Sequence, residues 1–222
     1  MDIYEQIYQR LYASGEPAWT GSGYPRAWHN LHENLTTLKD AALLPAPGSR
    51  ILELGCGNGS MASLWFAREG YQVSGVDISP TAIRWAQENF FRQGLCGDFQ
   101  TADVCHLNQL PEYPFALIFD GSCMHCLTGK QREQAWHEIK RLLAVDGHFV
   151  LSSMCGEPRK EEDRRHYNPA EYVLYRDGQP WRTLLPLPLL RQEILEQGFI
   201  IQHQQVTNNP WWDHVTLCVV AR

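Results

Sequence analysis

The sequence predicts an α/β fold, a sheet of mainly parallel strands flanked by helices. From residue 50 onward, short apolar runs alternate with segments of helical period. The turn ELGCGNGS joins the first run to the first of those helices. Near its end the chain carries two β-rich runs, FIIQHQQV and HVTLCVVA, separated only by TNNPWWD. That spacer suits an antiparallel hairpin and is too short for a crossover helix.

Taken in order, Ile3, Ile7 and Leu11 mark an amphipathic helix, followed by the aromatic loop EPAWTGSGYPRAW and a second helix from about 28 to 43. RILELGC (50–56) reads as a buried strand and SMASLWFAREG as the helix after it. YQVSGVD (71–77) is the next strand. Ser79 and Pro80 then open a helix that buries Ile83, Ala86 and Phe90 and stops at Gly94. DFQTADV (98–104) and FALIFDG (115–121) are further strands. Thr128 and Gln131 have the spacing of a capping box, opening a helix that buries Ala135, Ile139, Leu142 and Leu143. Gly147 is expected to end that helix, with HFVLSSM (148–154) as a fifth strand. A helix near 187–197 precedes the terminal hairpin, and Asp177-Gly178 signals a smaller hairpin within 156–186.

The 222 residues suit one domain, 1–222, with four parts: a helical lid (1–47), a core (48–155), a cap insertion (156–186) and a closing helix and hairpin (187–222). A net charge of -6 argues against a nucleic-acid partner, which needs clustered Lys and Arg. No apolar run has membrane-spanning length, and the first residues lack a secretory pattern. Seven scattered cysteines fit reduced thiols, so a cytoplasmic location and no membrane partner are expected.

Gly55, Gly57 and Gly59 stand where a ligand can lie against the backbone at a helix N-terminus. Asp77 closes the second strand, where a carboxylate can accept both hydroxyls of a ribose. Together they point to an adenosine-containing cofactor. The glycines alone are compatible with NAD, since Gly57, Gly59 and Ala62 satisfy the dinucleotide spacing. The wider pattern favours another ligand: Glu53, just before the glycines, suits a cationic, amine-bearing group better than a pyrophosphate.

With ILELGCGNGS, VSGVDIS, TADV and FALIFDG in this order, the chain resembles the class I S-adenosylmethionine-dependent methyltransferases. The resemblance covers roughly residues 48–155 and implies a Rossmann-like sheet of seven strands, helices on both faces, and an antiparallel last strand. It implies S-adenosylmethionine as cofactor. Glu53, Gly55 and Gly57 would then hold its methionine part, Asp77 its ribose, and Ile78 would pack on adenine. Asp103 and Val104 would meet the adenine amino edge, and Asp120 with Gly121 would approach the methionine end.

His125, in the loop after Asp120, has the ordinary pKa for removing a proton near neutrality, or it simply bonds the neighbouring backbone. Ser122 either binds the cofactor's carboxylate or caps the turn. Trp28 is the preferred aromatic closure over the sulfonium. Trp19 and the Tyr4, Tyr8, Tyr12 stripe are assigned to packing. Tyr167 and Tyr175 are the expected substrate contacts of the cap. Cys123 and Cys126 lack the accompanying Cys or His ligands of a zinc site, so no metal is expected. The expected activity is methyl transfer to a small-molecule acceptor on N, O or S. Its rivals are an azetidine-2-carboxylate-type cyclase that consumes S-adenosylmethionine, and a binding module without catalysis.

Overall fold

The structure is a computed structural model and describes residues 3–110 and 114–221. Seven strands form the main sheet: β1 (Arg50–Leu54), β2 (Gln72–Asp77), β3 (Asp98–Thr101), β4 (Phe115–Asp120), β5 (Leu143–Cys155), β9 (Phe199–Asn208) and β10 (Asp213–Ala221). Their order is β3-β2-β1-β4-β5-β10-β9, and β10 alone runs against its neighbours. This is the Rossmann-like sheet with an antiparallel last strand.

Alternation along the strands divides the core between the two faces. Leu52, Leu54, Ile118, Phe149 and Leu151 point to one face, covered by α5 (Lys130–Leu142) and α7 (Leu187–Glu196). Ile51, Leu117, Phe119 and Val150 point to the other, covered by α2 (Tyr24–Asp40), α3 (Ala62–Arg68) and α4 (Pro80–Arg92). Burying both faces explains why these strands read as continuous apolar runs.

The insertion carries α6 (Glu161–Arg164) and a separate antiparallel sheet of β6 (Tyr167–Asn168), β7 (Val173–Arg176) and β8 (Gln179–Thr183). Asp177 and Gly178 join β7 to β8 with positive φ values of 52° and 73°, the two left-handed positions that a tight hairpin turn requires.

Several boundaries differ from expectation. β3 stops at Thr101, because Asp103 Oδ1 takes the Cys105 N–H at 2.9 Å and turns the chain. α2 begins at Tyr24, earlier than expected, with Pro25 in its first turn. The expected capping box does not form: Gly129 is the N-cap without a side-chain bond, and the Gln131 N–H goes to the Thr128 carbonyl. α5 ends at Leu142, not at Gly147, and β5 starts at Leu143 with a register shift opposite Phe115 and Leu117.

α1 (Ile3–Ala13) lies against α4. Glu5 accepts bonds from Ser79 Oγ (2.5 Å), Thr81 Oγ1 (2.6 Å) and the Thr81 N–H (3.1 Å), adding a carboxylate to the α4 N-terminus. Ser79 is itself the expected N-cap, accepting the Ala82 N–H at 3.0 Å. The loop after α1 is tied to the glycine turn by Asn58 Nδ2, which donates to the Pro17 carbonyl at 2.8 Å, and by Tyr24 Oη, which donates to the Ser60 carbonyl at 3.0 Å.

Candidate active site

The carboxyl ends of the parallel strands open into a cavity of about 520 Å³, within the usual size of small-molecule pockets. Glu53 falls on the β1 face beneath α3, where its Oε2 accepts the Ser63 N–H at 2.7 Å and the Ser63 hydroxyl. The chain then turns through Gly55 and Gly57, whose φ values of 66° and 55° suit glycine. A Cβ on Gly55 would stand 2.7 Å from the Cβ of Cys123, and one on Gly57 would stand 2.6 Å from the Tyr8 hydroxyl. Cys123 is thus packed against the turn, and burial pushes its thiol up, away from the thiolate.

Asp77 receives the Gly57 N–H on Oδ2 and the Ser79 N–H on Oδ1, both at 2.9 Å, so the glycine turn and α4 together orient it. Beside it Ile78 is 41% exposed and lines the cavity, an apolar surface open to a flat ring. Asp103 and Val104 line the same end.

Asp120 is fully buried at the end of β4. Its Oδ1 accepts the Cys123 and Met124 N–H groups at 2.7 and 2.9 Å, while Oδ2 has no hydrogen-bond partner among the described residues. Burial pushes Asp120 up to about 7 and Glu53 up to about 8, the bonds from Ser63 opposing the shift at Glu53. Gly121 leaves room for these acids: a Cβ there would stand 2.8 Å from Glu53 Oε1. Ser122 has a positive φ of 65°, and its Oγ lies 3.4 Å from His214 Nε2.

His125 reaches the cavity wall but is buried, and burial lowers its pKa well below the ordinary value. Its Nδ1 accepts the Met154 N–H at 3.3 Å, which places the ring hydrogen on Nε2. In this tautomer His125 presents a donor, and its backbone bond goes to Met154 on β5 instead of to the neighbouring loop. A second imidazole, His214, also lines the cavity. Burial lowers it to about 4, so it is neutral at pH 7, and its Nε2 is 3.4 Å from both Ser122 Oγ and Ser152 Oγ.

Three expected contacts lie elsewhere. Trp28 packs on the core beneath α2 and stacks on Tyr24, away from the cavity. Tyr167 donates to the Leu184 carbonyl at 3.3 Å, and Tyr175 donates to Glu171 at 2.7 Å; neither lines the cavity. The aromatic wall comes instead from Tyr4, Tyr8 and Trp19, and the cap contributes Arg182. Spacing marked the tyrosines as one helix face but did not say what that face meets. Trp19 falls over the site because its loop is tied to Asn58. Arg182 carried no local signal beyond its presence in the insertion.

Residues 51–147 match the profile of a methyltransferase domain family. Those residues contain the glycine turn and Asp77, which line the strand-end cavity, and Asp120, buried just behind its wall. That match makes residues 51–147 similar to a methyltransferase domain.

The relatives of this chain differ in what they act on. A ribosomal RNA small subunit methyltransferase C of Alcanivorax borkumensis is 41% identical over 61 residues, 28% of this chain and 18% of that protein. An S-adenosyl-L-methionine-dependent Diels-Alderase of Talaromyces variabilis is 32% identical over 124 residues, 55% of this chain and 42% of that protein. The chain therefore spans less than half the length of these two curated relatives. Among solved structures, 1,6-didemethyltoxoflavin-N1-methyltransferase of Burkholderia thailandensis superposes with a TM-score of 0.69 at 19% identity, covering 98% of this chain and 87% of that one. That likeness shows the fold.

Proposed function

We propose that the protein transfers a methyl group from S-adenosylmethionine to a small-molecule acceptor. The observation that carries this reading is the continuity of the cavity. The wall bearing Asp77, Ile78 and Asp120's neighbour Gly121 runs on to Asn30 and Asn34 of α2, Thr207 of β9, Asn209 and His214. A second molecule thus has polar groups to meet beside the cofactor's place.

The side chains fit the cofactor. Asp77 suits ribose hydroxyls, Ile78 an adenine face, and the unpartnered Oδ2 of Asp120 an ammonium group. The bound cofactor supplies an electrophilic methyl on a sulfonium. The chain's own residues align the partners and exclude water, which is the main requirement of an in-line displacement. The rings of Tyr4, Tyr8 and Trp19 close one side. If the acceptor must lose a proton, His214 is the neutral imidazole placed to take it, and His125 donates from Nε2. The net charge of -6 supports a small acceptor over nucleic acid, and the free cysteines support a cytoplasmic setting.

A second reading, cyclisation of S-adenosylmethionine by its own amine, draws on Asp120. A carboxylate with a free oxygen and a pKa raised to about 7 can take a proton from an ammonium group. Incubation with methyl-labelled S-adenosylmethionine and a panel of small nucleophiles separates the readings. S-adenosylhomocysteine with label in an acceptor is the expected result. Methylthioadenosine formed without acceptor would replace methyl transfer by cyclisation. Bound but unchanged cofactor across the panel would leave a binding module.

A further inference from the structure

Two arginines are buried among the described residues, and they differ in how their charge is met. Arg132 of α5 is matched: Nε and Nη2 bond the two oxygens of Glu193 at 2.6 and 2.7 Å, and Nη1 bonds the Met124 carbonyl at 2.6 Å. Arg182 of β8 is 6% exposed and lines the cavity. Its Nη1 donates to Tyr4 Oη and to the Trp181 carbonyl, each at 2.8 Å, and its guanidinium carbon lies 3.9 Å from the Trp181 ring centre. Among the described residues no carboxylate forms an ion pair with it, and neither Nε nor Nη2 makes a hydrogen bond.

The chemistry of this arrangement is specific. An arginine stays charged at any working pH, and a buried charge without a counter-charge is costly. The contacts already made use Nη1 alone, and the Trp181 ring fixes the guanidinium plane. What remains is the Nε–Nη2 edge, whose two parallel N–H bonds match the two oxygens of a carboxylate. The three acids that line the cavity, Glu53, Asp77 and Asp103, form no ion pair with it.

We propose that Arg182 receives a carboxylate of the small molecule bound in this cavity, through paired Nε–H and Nη2–H donors. The proposal rests on the cofactor-site reading above and deepens it. The same chemistry can arrive on the methyl acceptor or on the amino-acid part of the cofactor, and the test separates these sources.

Acetate serves as the carboxylate probe, with the arginine Nε–H signals of nitrogen-15-labelled full-length protein followed by NMR. The Arg182 signal is identified by its loss in Arg182→Lys, and Tyr4→Phe, which keeps the guanidinium, supplies a second folded variant with the signal retained. Acetate is expected to move the Arg182 signal saturably while that of Arg132, already paired, stays still. If the response persists with saturating S-adenosylhomocysteine, the carboxylate belongs to the acceptor. If S-adenosylhomocysteine abolishes it and methylthioadenosine does not, the carboxylate is the cofactor's own. An Arg182 signal that moves no more than that of Arg132 overturns the proposal. So does displacement by methylthioadenosine, which has no carboxylate. Calorimetry of S-adenosylhomocysteine on the same samples tests the cofactor site separately, so failure there is not confused with failure at Arg182.

Discussion

The two ends of the cavity are built in different ways. At the strand ends, Asp77 on the wall and Asp120 buried behind it are held by backbone amides of the segments that immediately follow the strands or form the glycine turn. At the cap end, Tyr4 and Arg182 meet through side chains from opposite parts of the chain, and Tyr4 stacks on Trp181 with ring centres 5.6 Å apart. One end is acidic and fixed by the main chain. The other is cationic and aromatic, fixed by packing. Damage to the first should therefore abolish ligand binding or folding, and damage to the second should alter what is chosen.

The largest effect expected is at Asp77. Asp77→Ala removes the acceptor for two backbone amides and for the proposed ribose contact, and should weaken S-adenosylhomocysteine binding by about 100-fold, or ~3 kcal/mol, at the upper end for charged hydrogen bonds. Calorimetry measures it, and a loss under about fivefold would break the contrast between the two ends. Next comes Gly55→Ala, which meets Cys123 at 2.7 Å and places alanine at a φ of 66°. Denaturant unfolding should show a loss of about 2–3 kcal/mol.

The buried acids predict a pH dependence with a definite sign. Burial holds Glu53 at about 8 against an ordinary 4.5, so the folded form keeps a proton that the unfolded chain has released. Stability from this source is complete below about 4.5 and is lost as pH rises through about 8. The ligand-free protein should melt lower as pH rises across that window, and Glu53→Gln should flatten the slope. A slope of opposite sign, unchanged in the variant, would remove Glu53 as its cause. The smallest effect is expected at the cap: Arg182→Met should cost about 1 kcal/mol or less, since no ion pair is lost. Arg132→Met, which strands Glu193, should cost about 3 kcal/mol. Equal losses for the two would mean that Arg182 has a counter-charge after all.

This contrast also decides what could be read before folding. The glycine turn, Asp77, Ile78 and Asp120 were legible because each lies within a few residues of the strand that positions it. Ser79 was legible as a cap for the same reason, since its partner is Ala82. Thr128 and Gln131 show the limit of such spacing, for Gly129 takes the cap position with a φ of 51° and the box does not close. Trp28, Tyr167 and Tyr175 were chosen by residue type, and type does not set direction. Trp28 faces the core because α2 lies across that face of the sheet, while Tyr4 and Arg182 face the cavity because β8 packs beside α1. His125 lies at the cavity wall, and its tautomer depends on the Met154 amide, 29 positions away.

The carboxylate of Glu5 has a consequence for the kinetics of exchange. It joins α1 to the same Ser79 whose amide orients Asp77, so the wall of the chamber and the Asp77 carboxylate share one joint. α1 takes no part in the sheet and is held by the Glu5 cap, ring contacts, the buried Tyr8 and the bonds of Tyr12 to Glu88 and of Arg182 to Tyr4, and a cap of this kind contributes about 1 kcal/mol. Lifting α1 is therefore expected to be a local event, cheaper than global unfolding. In hydrogen exchange, the α1 amides should open well before those of β1 and β4, and Glu5→Gln should hasten them without touching the sheet.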